Sequence, residues 1–242
     1  MTQVSALPPL QYAPPDEPLD IIHTDKDMVV LNKPSGLLSV PGRTPDLHDS
    51  ALTRVQALYP QAQAVHRLDL GTSGLLVIAT RRKAEARLRQ QFQDRCTRKV
   101  YLAVVQGLML ADQGHSDLPL ICDWPNRPRQ KVCHATGKAA STDFFVLARH
   151  ADTTLVRLIP HTGRSHQLRV HMAHLWHPIL GDPLYGPDPE PKERLALHAF
   201  QLGLYHPYSE QWMSFVAPCS FAPHCTPTAL EPGVKKIRPA TL

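Results

Sequence analysis

Short apolar runs bounded by Gly, Pro, Asn and Asp dominate this chain and predict strands. MVVLNK, from Met28, reads as a strand. It breaks at a Lys33-Pro34-Ser35-Gly36 turn and resumes as a second short strand in LLSVPG. LLVIA (75–79) and KVYLAVVQGLM (99–109) are further strands. STDFFVLARH and TTLVRLIP predict an antiparallel pair that turns near Ala151-Asp152, and LALHAFQLGLYHP and QWMSFVAP supply the last strands.

Three segments carry the helical period instead. DSALTRVQALY (49–59) has Asp49 or Ser50 as its cap and Ala51, Val55 and Leu58 as its apolar stripe. Residues 82–94 place Ala84, Leu88 and Phe92 four apart on one face. GRSHQLRVHMAHLWH (163–177) reads as a helix that begins at Ser165. Residues 111–140 are loop-rich, with short extended pieces around LPLICDW and QKVCHA.

Strands outnumber helices and connect mostly through hairpins and loops. The pattern therefore predicts an α+β fold, a mixed and largely antiparallel β-sheet with flanking helices and loops. Residues 1–17 are Pro-rich and predict an irregular arm, 18–218 a single domain, and 219–242 an irregular tail.

Composition narrows the classes. The chain has 242 residues, 43% of them hydrophobic, enough to bury a large core. The N-terminus has neither a basic start nor an apolar run, and no stretch approaches the roughly 20 apolar residues of a membrane helix. A soluble, cytoplasmic protein is expected, with a monomer as the default. Five cysteines without a CxxC pair point to reduced, structural thiols rather than a disulfide framework or a thiolate zinc site. The formal charge of +5 suits a polyanionic partner. Eight basic residues fall in 81–99, and Arg127, Arg129 and Lys131 stand close together in WPNRPRQK.

Four groups can carry chemistry. In HRLDLGTSGLLVIA, Asp69 sits two residues after Arg67, where a loop meets a buried strand. It reads either as a nucleophile or base at a cleft, or as a turn aspartate bonded to the amides of Thr72 or Ser73. Arg164, in TGRSHQLRVH, reads as a guanidinium that holds a carboxylate or as a solvated surface residue. Tyr101 alternates with apolar neighbours, the pattern of a core or a catalytic tyrosine. GDPLYG (181–186) is the fourth group. His161, His166, His171, His174 and His177 crowd one region, but no HExxH accompanies them and no metal is expected. Phosphate-loop, dinucleotide and G-x-S-x-G motifs are absent, so no cofactor is expected.

These segments, taken in order, resemble the RluA-type pseudouridine synthases. HRLDLGTSG resembles the family's central H-R-L-D-x-x-T-S-G motif, with Gly71 where close relatives carry Ala. NKPSGLLSVPG resembles its N-terminal strand and turn, and RKVYLAVV its K-x-Y strand. HTGRSHQLRVH and GDPLYG resemble two later signatures, and LHAFQLGLYHP the last motif. The stretch DLPLICDWPNRPRQKVCHATGKAASTDF is similar to the dual-specificity member of the family. That similarity implies uridine targets at nucleotide 32 of tRNA anticodon stem-loops and at nucleotide 746 of 23S rRNA. The alternatives are a synthase acting on another rRNA uridine and, from the histidine cluster, a metal-dependent hydrolase.

The resemblance implies a pseudouridine synthase fold without an S4-type RNA-binding domain, and isomerisation without a cofactor. It implies Asp69 as the essential carboxylate, Tyr101 as the tyrosine that stacks on the target base, and Arg164 as the arginine paired with the aspartate. Arg67 is implied to fill the gap left by the flipped nucleotide. Contacts to RNA are expected from Arg67, His66, Thr72, Lys99, Arg127, Arg129, Lys131, His166 and Arg169.

Overall fold

The computed structural model of the protein describes residues 12–188 and 193–234. The outer parts of the expected arm and tail, 1–11 and 235–242, lie outside the described residues. Among the described residues, twelve strands and three α-helices follow in chain order. They are β1 (Asp20–Thr24), β2 (Met28–Lys33), α1 (Ala51–Gln56), β3 (Gln63–Ala64), β4 (Ser73–Ala79), α2 (Arg82–Asp94), β5 (Arg98–Gln106) and β6 (Gln113–Ser116). Then come β7 (Leu120–Cys122), β8 (Gln130–Val132), β9 (Thr142–Arg149), β10 (Thr153–Pro160), α3 (Gln167–His174), β11 (Leu197–Tyr205) and β12 (Trp212–Val216).

Ten strands form one sheet along the path β1-β2-β4-β11-β5-β10-β9-β6, with β12 also paired to β11 and β3 to β4. Every pairing is antiparallel except β11 with β4. β7 and β8 form a separate hairpin. This is the α+β architecture the strand pattern predicts. No helix among the described residues is long and apolar enough to cross a membrane.

The sheet is covered on both faces, which explains the unbroken apolar run of β4: all seven of its residues are buried. Met28, Val30, Leu75 and Val77 point to one face and meet Ala84 and Leu88 of α2. Val29, Leu31, Leu76 and Ile78 point to the other and meet Ala51, Leu52 and Val55 of α1. Alternation along β2 thus feeds two cores at once. Gly74, at φ +106°, marks the one parallel junction: a Cβ there would lie 2.3 Å from the Ala199 carbonyl oxygen. That close approach brings β11 against the strand that follows Asp69.

Several expectations are corrected. No second strand follows the Gly36 turn, because the backbone of 37–39 is spent elsewhere. The carbonyls of Leu38 and Ser39 accept the first amides of α1, from Ala51 and Leu52. α1 is capped by Ser50 with a reciprocal Ser50–Thr53 box and ends at Gln56, so Leu58 is 73% exposed rather than part of the stripe. α3 begins at Gln167, not Ser165, and stops at His174. β1, β3 and β6 escape the pattern because they are short, polar strands at or near the sheet margin. The described part of the tail has no helix or strand, yet it packs: Cys219 and Ala222 join Val100, Leu102 and Phe200 in one apolar cluster.

Candidate active site

The loop 66–72 is held as a rigid shelf by the turn that follows β2. Ser39 Oγ donates to the Leu68 carbonyl at 2.8 Å, and Ser35 Oγ to the Gly71 carbonyl at 2.7 Å. The amide of Gly36 and the ammonium of Lys33 both reach the Leu70 carbonyl, at 3.0 and 3.2 Å. Lys33 is completely buried, and its other two donors go to the carbonyls of Pro34 and Leu37. An ammonium has three N–H groups, and each has a carbonyl here. Burial pulls the Lys33 pKa down to about 7, against the opposing pull of the Asp69 charge. The backbone on both sides of Asp69 is therefore clamped. Sequence reading placed Lys33 only in a turn; a lysine closing a run as apolar as MVVL was the available signal.

Asp69 projects from this shelf into a cleft of about 530 Å³, with its side chain 26% exposed. Arg169 Nη1 donates to its Oδ2 at 3.3 Å, while Oδ1 lies 3.9 Å from His166 Nε2. Arg169 is itself fixed by a two-pronged pair with Asp182, at 2.8 and 2.7 Å. The Asp182 carboxylate is fully buried and also accepts the amides of Leu184 and Tyr185. The positive charge of Arg169 is thus already balanced by Asp182. It orients Asp69 without fully neutralising it.

The pairing expected of Arg164 is made by Arg169. Among the described residues Arg164 Nε donates to the Ala139 carbonyl, at the cleft wall, not to Asp69. The cause is the late start of α3. His166 adopts a left-handed backbone at φ +53°, so the helix winds only from Gln167 and Arg164 stays in the preceding loop. Tyr185 stabilises that corner. Its hydroxyl accepts the Gln130 amide at 2.7 Å and lies 2.8 Å from His166 Nδ1. The imidazole thus has Tyr185 at Nδ1 and the Asp69 carboxylate on its Nε2 side. Burial lowers the His166 pKa, so this imidazole is neutral.

Tyr101 lies in β5 between the two apolar clusters and lines the same cleft. Burial, then the charge of Asp69, raises its pKa, so the resting hydroxyl is protonated. It brings an aromatic ring and a protonated hydroxyl to the cleft lining.

Nine of the twelve predicted site residues line this cleft. Arg67 is exposed at its mouth. Thr72 is buried, its amide donating to the backbone carbonyl of Asp69 at 3.1 Å; the side-chain turn bond weighed for Asp69 is not made, and its carboxylate pairs with Arg169 instead. Lys99 Nζ donates to the Thr162 carbonyl at 3.3 Å, and burial brings its pKa down to about 8. His66 accepts the Val77 amide and stacks on Phe92 at 4.4 Å. Burial, with Lys99 nearby, lowers its pKa to about 3, so it offers a neutral ring rather than a phosphate-binding charge. The other three, Arg127, Arg129 and Lys131, sit on the β7–β8 hairpin beyond the cleft. Within 81–99, Arg81 pairs with Asp27 and Arg89 with Glu85, so Arg95 and Lys99 are the cations that reach the cleft.

The histidines do not converge. His161 bonds Asp143, His171 is buried between Thr142 and the Leu118 carbonyl, and His177 bonds the Gln106 carbonyl. The five cysteines are unpaired.

Buried neutral histidines make stability fall with acid. His198 sits between Ser73 Oγ and the Ala217 carbonyl, and burial lowers its pKa to about 4; that of His66 is about 3. Below the unfolded value near 6.5, the unfolded chain takes up protons that the native state refuses. Stability is present above that value and is lost as pH falls toward 4. Each histidine is expected to remove about 2 kcal/mol by pH 5. Thermal melts from pH 8 to 4.5 check this, and an unchanged Tm below pH 6.5 would refute it.

The chain was also compared with known proteins. The family described as RNA pseudouridylate synthase matches residues 27–174. The dual-specificity RNA pseudouridine synthase RluA of Vibrio vulnificus is 55% identical over 222 residues, covering 88% of this chain and 89% of that protein. The enzyme of the same name from Escherichia coli K12 is 53% identical over 215 residues, covering 87% and 98%. Among solved structures, human RNA pseudouridylate synthase domain containing 1 superposes with a TM-score of 0.70 at 28% identity, covering 84% of each chain. The clamped aspartate, the cleft and these matches lead to one assignment: the chain belongs to the RNA pseudouridylate synthase family.

Proposed function

We propose that this enzyme isomerises uridine to pseudouridine in two RNAs, at nucleotide 32 of tRNA anticodon stem-loops and nucleotide 746 of 23S rRNA, with Asp69 as the reacting carboxylate. The observation that carries the chemistry is the asymmetry of that carboxylate. One oxygen is tethered by Arg169, and the other faces the cleft. The dual target is supported by relatives that bear the dual-specificity name at more than half identity over most of their length.

The reaction breaks the C1′–N1 bond, forms C1′–C5, moves a proton to N1 and loses one from C5. It needs no net oxidation. An ionised carboxylate either attacks C1′ or removes the 2′ proton, and both routes start from the geometry at Asp69. The detached uracil must stay in the cleft while it rotates, and Tyr101 supplies an aromatic wall for it. Because the Tyr101 hydroxyl is protonated at rest, it serves first to stack and donate. The target base must leave its helix or loop stack, and Arg67 at the cleft mouth is placed to occupy the gap. Arg95, Lys99 and Arg164 offer charge to phosphates along the rim. The unpaired cysteines suit a reducing, cytoplasmic setting, where the enzyme acts as a monomer.

The test is tritium release from RNA labelled at uracil C5. Turnover of both a tRNA anticodon stem-loop and a 23S rRNA stem-loop is expected. Turnover of only one would refute dual specificity, and turnover of neither would refute the substrate assignment.

A further inference from the structure

The β7–β8 hairpin carries a feature that the catalytic cleft does not use. At its tip, a single turn of 3-10 helix (Trp124–Asn126) holds Trp124 with 65% of its surface exposed. The guanidinium of Arg127 lies 4.4 Å from the indole ring. The tip is braced from within. The Asp123 amide donates to the Arg129 carbonyl and its own carbonyl accepts the Asn126 amide, its carboxylate accepts Asn126 Nδ2 at 2.8 Å, and Lys131 pairs with it at 3.2 Å. An indole this exposed on a stiff support is pre-organised, and ordering it on contact costs little entropy.

The hairpin is also tied to the active site. Its Gln130 amide bonds the Tyr185 hydroxyl, which bonds His166, which faces Asp69. Val132 and Tyr185 pack on Leu120, Ala140 and Val170, linking the hairpin base to α3. Neither Arg127 nor Arg129 is ion-paired among the described residues, and both are exposed. The surface around the indole is therefore cationic and apolar together, the combination that grips single-stranded nucleic acid.

We propose that Trp124, backed by Arg127, is a stacking platform for an unpaired base of the RNA loop flanking the target uridine. The proposal rests on the RNA-substrate reading and deepens it. Stacking on an indole accepts any base, because every base has a π-face. Hydrogen-bond readout would demand one sequence. A platform of this kind lets one cleft take two RNAs whose loops differ, which is what dual specificity requires. Arg127 lies over one face of the ring, so a base stacks on the other.

Two variants and two measurements test this. Trp124→Ala is expected to raise KM about tenfold on both the tRNA and the 23S rRNA stem-loops, with kcat changed less than threefold. Trp124→Phe keeps a ring face and is expected to return KM to within about threefold of wild type. The second measurement is equilibrium binding of a fluorescent single-stranded oligouridylate, which reads the platform even if neither stem-loop is turned over. There Trp124→Ala is expected to bind about tenfold more weakly than wild type, and Trp124→Phe nearly as well as wild type. Unchanged KM and unchanged binding in Trp124→Ala would overturn the proposal. So would equal losses in the Ala and Phe variants, since that is the signature of a merely structural side chain. A KM effect on one RNA alone would overturn the claim that the platform serves both. Failure of wild-type turnover with the binding difference intact would count against the substrate assignment and leave the platform standing.

Discussion

Replacing Asp69 by Ala is expected to abolish tritium release, with kcat lowered at least about 10⁴-fold, as for the loss of a reacting group elsewhere. RNA affinity should survive. The cations at the rim are untouched, and removing a carboxylate from a basic cleft reduces repulsion of phosphate. The fold should survive as well. The shelf that carries residue 69 is held by backbone carbonyls to Lys33, Ser35, Gly36 and Ser39, not by the aspartate side chain. Circular dichroism and binding to an anticodon stem-loop, measured beside the tritium assay, separate these effects. Full activity in the variant would remove Asp69 from the chemistry. A loss of binding equal to the loss of turnover would make it a binding residue.

The second large effect belongs to Arg169. Arg169→Ala removes the orienting partner of Asp69 and leaves the carboxylate of Asp182, 0% exposed, without its counter-charge. Breaking a buried pair on one side costs about 3–5 kcal/mol. Both a large fall in Tm and loss of turnover are expected. Arg164→Ala, by contrast, gives up one bond to the Ala139 carbonyl at the cleft wall. It is expected to raise KM modestly, keep kcat within about tenfold, and leave Tm nearly unchanged. Arg169→Ala with Asp182→Asn restores stability by removing the orphaned charge, but not turnover, since Asp69 still lacks its tether. Measured kcat values for Arg164→Ala and Arg169→Ala decide between the two arginines. A collapse of kcat in Arg164→Ala with a nearly active Arg169→Ala would reverse the assignment drawn from the geometry.

The contrast between these arginines shows what kind of information a sequence holds. Their positions differ by five residues, and TGRSHQLRVH offers either one to a carboxylate. The choice was made by one backbone angle, the left-handed φ of His166, which delays α3 and turns Arg169 inward. The His166 side chain bonds Tyr185, nineteen residues further on, whose hydroxyl also accepts the amide of Gln130, thirty-six residues before His166. No local pattern reports it. Lys33 was hidden for a similar reason. Its three acceptors belong to its own turn and to a loop thirty-seven residues away, so only the folded chain shows that a charged group can be fully buried there.

Local periodicity did determine a good deal by itself. The alternating and continuous apolar runs placed β4, β5, β9, β10, β11 and β12, and the four-residue spacing of Ala84 and Leu88 placed α2, because burial on a sheet or a helix face imposes those periods directly. The ordered motifs around Asp69, Tyr101 and TGRSHQLRVH marked the segments that meet at the cleft, and GDPLYG marked the one that holds Arg169 in place. Tertiary structure alone decided which side chains within those segments face one another and which carbonyls clamp the loop that carries Asp69. It also set the exposed tryptophan at the hairpin tip on a support tied to Asp69. Those choices depend on contacts between residues far apart in the chain, and their geometry exists only once the sheet has closed around them.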